Sequence, residues 1–131
     1  MTRYVVDAGA VLELAAAGGR IAPGVELVAP TLLRSQVLSR LHEAVARGEL
    51  DARVARERLA TFNRMKIRLL GDAVLRQRAW VIADRLGWAS TYDAEYLALT
   101  ELQADAFVTL DAKLARSARV VVTVAPIDVL L

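Results

Sequence analysis

Three aspartates share one local setting in this sequence. Asp7 closes the apolar run Tyr4-Val5-Val6, and Asp111 closes Phe107-Val108-Thr109-Leu110. Asp93 sits in the first turn of the helical segment that follows Ser90-Thr91. Short apolar runs ended by a carboxylate and small residues read as buried strands that feed into helices. In open parallel α/β sheets, ligands bind beyond the carboxyl ends of the strands, which is where all three acids belong. Clustered carboxylates repel one another unless a hard cation sits among them. With no cysteine and one histidine placed on the solvent side of its helix, oxygen donors suit Mg²⁺ or Mn²⁺ rather than zinc. Such a site hydrolyses phosphodiesters. Each acid alone also suits a helix N-cap at the positive end of the helix dipole, and spacing does not choose between the two uses.

The positioning elements follow in the order β-α-β-α-α-β-α-α-β-α-β. The first strand covers Arg3 to Val6, and a helix from Val11 to Ala17 stops at Gly18-Gly19. Leu27 to Ala29 is a strand closed by Pro30. Thr31 is read as the N-cap of a helix that runs to Arg47 and ends at Gly48. At 100° per residue, Leu33, Val37, Leu41, Ala44 and Val45 form its apolar face. Gln36, Arg40, Glu43 and Arg47 form a polar stripe at the edge of that face, and His42 lies nearly opposite the core.

A second helix, Asp51 to Phe62, opens on an acidic cap. Lys66 to Leu70 reads as a strand, and a helix from Asp72 to about Gly87 is apolar on most sides (Val74, Leu75, Ala79, Trp80, Val81, Ile82) and expected to be well buried. A helix from Tyr92 to Gln103, a strand from Ala106 to Leu110, a short helix and a final strand from Val120 to Val124 complete the pattern, before a tail from Pro126 to Leu131. The alternation predicts a parallel sheet with helices on both faces. Right-handed crossovers gather its strand ends on one side.

The 131 residues suit one domain, 1–131, with 56% apolar residues for its core. No apolar run is long enough to span a membrane, and Asp7 interrupts the N-terminal run too early for a signal peptide. A cytoplasmic protein with no membrane association is the expectation. The net charge of +2 is unevenly spread, since residues 34–85 carry twelve basic residues against six acids. A basic middle between acidic flanks suits an anionic polymer and a cation pocket, and equally a solvated Arg-rich surface. Aromatics are only 5% of the chain, so Trp80 and Trp88 are read as core rather than as a base-stacking platform.

Val6-Asp7-Ala8, the run from Thr91 to Leu99 (Thr-Tyr-Asp-Ala-Glu-Tyr-Leu-Ala-Leu) and the run from Phe107 to Leu114 together resemble the hallmark segments of PIN-domain proteins. The resemblance is nearest to VapC toxins of toxin–antitoxin pairs and spans almost the whole chain. It implies a three-layer α/β/α fold with a central parallel sheet and a metal-dependent endoribonuclease acting on RNA. It also implies dimerisation to a homodimer and neutralisation by a cognate VapB-type antitoxin.

Carried over residue by residue, Asp7, Asp93 and Asp111 match three of the family's four acidic metal positions, with Mg²⁺ or Mn²⁺ as the cofactor. The fourth, usually Glu, is Gln36 here. An amide oxygen can ligate or orient water, but it brings no charge and takes no proton. Glu43 is on nearly the same side but roughly 10.5 Å further along the helix. Glu95 points away from Asp93, and the nearby Glu101 has no assigned part. Thr91 and Thr109 are candidates to hydrogen-bond the carboxylates or water, and capping and strand preference account for them as well. Arg40 and Arg47 are candidates to contact RNA phosphates, or simply solvated surface. The competing reading is a PIN-fold module that binds RNA or an antitoxin without efficient cleavage. A phosphoacceptor receiver-like domain fits less well, because Asp7 has no neighbouring acid at its strand end.

Overall fold

Asp7 ends the central strand of a five-stranded, all-parallel sheet. The computed structural model describes residues 1–131. Strands β1 (Thr2–Val6), β2 (Val25–Pro30), β3 (Ile67–Leu70), β4 (Ala106–Val108) and β5 (Val124–Ala125) lie in the order β3-β2-β1-β4-β5. From β1 the chain steps outward to β2 and β3, then returns to the other side of β1 for β4 and β5. The sheet therefore has a topological switch point between β1 and β4.

Helices α1 (Ala8–Ala16), α2 (Leu33–Ala46) and α3 (Ala52–Arg64) connect the outward steps and pack on one another. Helices α4 (Ala73–Leu86) and α5 (Tyr92–Gln103) serve the return crossover, so right-handedness puts them on the opposite face. A short helix, α6 (Ala112–Ala118), joins β4 to β5. The expected three-layer α/β/α arrangement with a central parallel sheet is what forms. No helix is long and apolar enough to cross a membrane.

Tyr96 through Thr100 are buried without a break, because α5 lies between the sheet and α4. A helix covered on both sides must be apolar nearly all round. Helix α4 is the outer of the two and corrects the sequence expectation. Leu75, Ala79, Ile82 and Ala83 face inward, whereas Val74, Val81 and Trp80 are exposed, Trp80 by 67%. Arg78 and Glu101 pair across α4 and α5, with one of their two hydrogen bonds at 3.0 Å.

Four boundaries also differ from expectation. The first is β4, which ends at Val108 rather than Leu110, because the Thr109 hydroxyl turns to Asp7 and Asp111. Helix α1 begins at Ala8 rather than Val11, because Asp7 caps it directly. Thr31 does not cap α2; Leu32 stands at that place with no side-chain bond. The expected strand from Val120 shrinks to Val124–Ala125, because the N–H groups of Val121 and Val122 still bond the Ala118 carbonyl at the end of α6. Only Phe107 and Val108 are left to pair with β5. The tail forms a 3₁₀ turn, Ile127–Leu130, that buries Leu130 in the core.

Candidate active site

Parallel register between β1 and β4 sets Val6 beside Val108, so the residues that follow each strand, Asp7 and Thr109, emerge as neighbours. The Thr109 hydroxyl donates to Asp7 Oδ2 at 2.5 Å and accepts the Asp111 N–H at 3.1 Å. Asp7 Oδ1 accepts the Ala10 N–H at 3.0 Å, and Asp111 Oδ1 accepts the Leu114 N–H at 3.0 Å. Both acids therefore cap a helix and also line the cavity. Each uses one oxygen for the cap, and the two roles coexist.

Asp93 differs from them. It lies in the first turn of α5, which has no side-chain cap, and it is exposed. A cavity of about 300 Å³ brings it together with Asp7, Asp111, Gln36, Arg40 and Tyr96. Partial desolvation of the carboxyl where it turns into the cavity, and then repulsion from Asp7 and Asp111, push Asp93 above the ordinary range, against the opposing pull of Arg40. Burial likewise pushes Asp7 up, opposed by its bonds from Thr109 and Ala10. The acids are electrostatically coupled.

Tyr96 joins the cluster from inside the core. Its ring is 1% exposed and packs on Phe107, with centroids 6.1 Å apart, while its hydroxyl donates to Gln36 Oε1 at 2.5 Å. Burial, then the charges of Asp7 and Asp93, push the phenol's pKa up, so it stays a donor. The only sequence sign was its position three residues after Asp93 on α5, one turn away on the same face.

Of the other candidates, Thr109 and Arg40 meet the cluster, and Thr91 and Arg47 do not. Thr91 makes no side-chain cap bond and does not line the cavity. Arg47 sits two turns beyond Arg40 and is engaged by Glu49 at 2.9 Å and Glu43 at 3.7 Å. Glu43 also accepts from Ser39, and Glu95 lines no part of the cavity.

The three carboxylates do not close into a three-ligand metal cage. They stand around the cavity instead, two of them tied by their capping bonds to the starts of α1 and α6. Mg²⁺ usually takes one or two carboxylates and keeps several waters, so an open, hard-oxygen cavity of this kind fits such a cation.

Against known proteins, no protein-family model matches the sequence. VapC ribonuclease Mb0985 of Mycobacterium bovis and ribonuclease VapC9 of Mycobacterium tuberculosis are each 33% identical over 127 residues, covering 93% of this chain and 98% of each relative. The chain belongs to the VapC ribonuclease family. The PIN-domain resemblance carried by the segments around Asp7, Asp93 and Asp111 therefore stands. The same fold is seen in the crystal structure of PAE2754 from Pyrobaculum aerophilum, at TM-score 0.73 and 22% identity over 97% of this chain and 92% of that one. VapBC-1 from nontypeable Haemophilus influenzae gives 0.61 and 13%, covering 97% of this chain and 99% of that one. These two likenesses speak for the fold.

Proposed function

We propose that this chain is a Mg²⁺- or Mn²⁺-dependent endoribonuclease, the toxin of a toxin–antitoxin pair, cutting RNA at the Asp7–Asp93–Asp111 cavity. The observation that carries the reading is the convergence of three acids from three separate elements beside the β1/β4 switch point, in a VapC-family chain.

Asp93 and the uncapped oxygen of Asp111 would hold the cation with free lone pairs, and Asp7 would add those left beside its two donors. A bound cation would polarise the scissile phosphoryl group and lower the pKa of the attacking water. The rest falls to the chain's own groups. Thr109 fixes Asp7 and Asp111 relative to one another. Arg40 places a guanidinium at the cavity wall, where it would bind a phosphate oxygen and hold the RNA strand against the acids. Gly9 leaves room for that guanidinium. Tyr96 orients the Gln36 amide, whose NH₂ is then free to donate toward the substrate. A cognate VapB-type antitoxin and a homodimer complete the proposal.

The engagement of Gln36 favours a second reading. Its oxygen already accepts from Tyr96 and carries no charge, as in a module that grips RNA or an antitoxin and cleaves poorly. Incubation of purified protein with single-stranded RNA and Mn²⁺ decides between them. Cleavage that stops in Asp7→Asn supports the nuclease. Binding without cleavage supports the module.

A further inference from the structure

Leu110 puts an apolar side chain at the edge of a cavity whose chemistry is otherwise charged. It stands between Thr109 and Asp111 in the loop from β4 to α6, and it is 49% exposed. Of the large apolar side chains that the fold leaves exposed, it alone lines the acid cavity. Leu114, from the first turn of α6, joins it there. Leu114 is half-buried against the core and so has a place in the packing, whereas about half of the Leu110 surface meets water.

The loop holds Leu110 from both sides. Before it, the Thr109 hydroxyl donates to Asp7 Oδ2 and accepts the Asp111 N–H. After it, Asp111 Oδ1 accepts the Leu114 N–H at 3.0 Å, and the Asp111 carbonyl accepts the Ala115 N–H at 2.9 Å. Its backbone is thus in place before any ligand arrives, which reduces the ordering cost of binding. A leucine exposed on an open surface is ordinary. One fixed at the rim of a carboxylate cavity bears on what that cavity holds.

We propose that Leu110 is a substrate-contacting residue, packing on the carbon face of a ribose bonded to the scissile phosphate. The proposal rests on the ribonuclease reading and deepens it. In a phosphodiester the sugar carbons C3′ and C5′ are each one oxygen away from phosphorus, and the bases lie further out. A phosphate seated by Arg40 and the acids therefore brings sugar carbons, not bases, against the walls of the same cavity. At about 300 Å³ the cavity is at the lower end of the size range for small-ligand sites, in keeping with a sugar-phosphate unit. The C–H face of the ribose covers Leu110 and displaces loosely held water, with a gain set by the apolar area removed from solvent. Arg40 holds the phosphate by charge, and Leu110 sets the angle of the sugar by contact. Every nucleotide carries that sugar, so the contact is indifferent to base sequence.

The test compares the natural full-length chain with Leu110→Asn, which keeps the size and removes the apolar surface, and with Leu110→Met, which keeps both. In Mn²⁺-dependent cleavage of a short oligouridylate, Leu110→Asn is expected to raise KM roughly fivefold with kcat and Tm nearly unchanged, and Leu110→Met to stay near the natural KM. An unchanged KM in Leu110→Asn overturns the proposal, as does a rise that Leu110→Met shares or that accompanies a fall in Tm. Binding measured by anisotropy, with chelator so that RNA stays intact, is expected to weaken by a similar factor. An abasic ribose-phosphate oligomer of equal length, which keeps the sugar, is expected to lose affinity equally, and tripolyphosphate, which has none, to lose nothing. Loss confined to RNA that carries bases overturns the sugar contact, and so does an equal loss for tripolyphosphate. Weaker oligouridylate binding by Leu110→Asn, with no cleavage by any form of the protein, keeps the contact and removes the nuclease reading. Cleavage with the same KM in both proteins does the reverse.

Discussion

Thr109 Oγ1 lies 2.5 Å from Asp7 Oδ2 and 3.1 Å from the Asp111 backbone nitrogen, so one hydroxyl couples two acids that are 104 positions apart in the chain. The contact follows from the β1–β4 register and from nothing local. Thr109→Val keeps the shape of this 9%-exposed side chain and removes the hydroxyl. A hydrogen bond to a charged group is worth about 2 kcal/mol, and urea unfolding is expected to show a loss of that size at neutral pH. RNA cleavage is expected to fall at least tenfold, and Thr109→Ser to recover most of both.

Gln36→Glu restores a charge where the Tyr96 hydroxyl already donates. Cation affinity rises with the number of charged ligands, so calorimetry is expected to show Mn²⁺ binding roughly tenfold tighter than in the natural chain. Metal-dependent cleavage should rise with it. Cleavage unchanged by the substitution would mean that Gln36 is not what limits turnover.

Acid coupling gives a pH signature. Asp93 and Asp7 both titrate above the usual 3.8, through burial first, with carboxylate repulsion second for Asp93. A folded-state pKa above the unfolded one contributes stability that is complete below the unfolded value and is lost as pH rises through the folded value. At neutral pH, without added cation, the ionised site thus works against folding. Asp93→Asn is expected to raise Tm at pH 7, with a margin that shrinks to nothing below about pH 3.8. Added Mn²⁺ should raise the Tm of the natural chain more than that of the variant, by binding the folded state alone. A lower Tm for Asp93→Asn at pH 7 would contradict this.

Gly9 has no side chain for a reason of space. A Cβ there would stand 3.2 Å from Arg40 Nη1 and 3.8 Å from Asp7 Oδ1. Its backbone is not in the left-handed region, so alanine is tolerated and adds roughly 0.5–1 kcal/mol of helix preference to α1. Gly9→Ala is therefore expected to hold or raise Tm while increasing KM for RNA several-fold, through displacement of the Arg40 guanidinium. An unchanged KM would separate Arg40 from phosphate binding.

The carboxylates near strand ends were legible because an apolar run that stops at an acid is a local pattern. The runs before Asp7 and Asp111 each carry it, although β4 itself ends at Val108. The Gln36–Tyr96 bond spans 60 residues and crosses from α2 to α5, so no local pattern announces it. Separating Arg40 from Arg47 needed the fold as well. Both lie on one stripe of α2, but only Arg40 lies over the sheet edge, while Glu43 and Glu49 engage Arg47. Apolar composition misled the reading of α4, since Trp80, Val74 and Val81 look like core residues and face outward. The valines after Arg119 look like a strand, yet two of them finish the turn of α6. Propensity yielded there to the backbone bonds of the neighbouring element.

The central claim is that three carboxylates on one sheet edge make a cation-dependent RNA-cutting site. The most direct measurement is cleavage of defined single-stranded RNAs across a Mn²⁺ titration, with the natural chain beside Asp93→Asn. The expected result is cleavage that rises with Mn²⁺, stops with chelator and drops by two orders of magnitude or more in the variant, with both proteins folded. Equal cleavage by the two proteins, or cleavage indifferent to Mn²⁺, would contradict it.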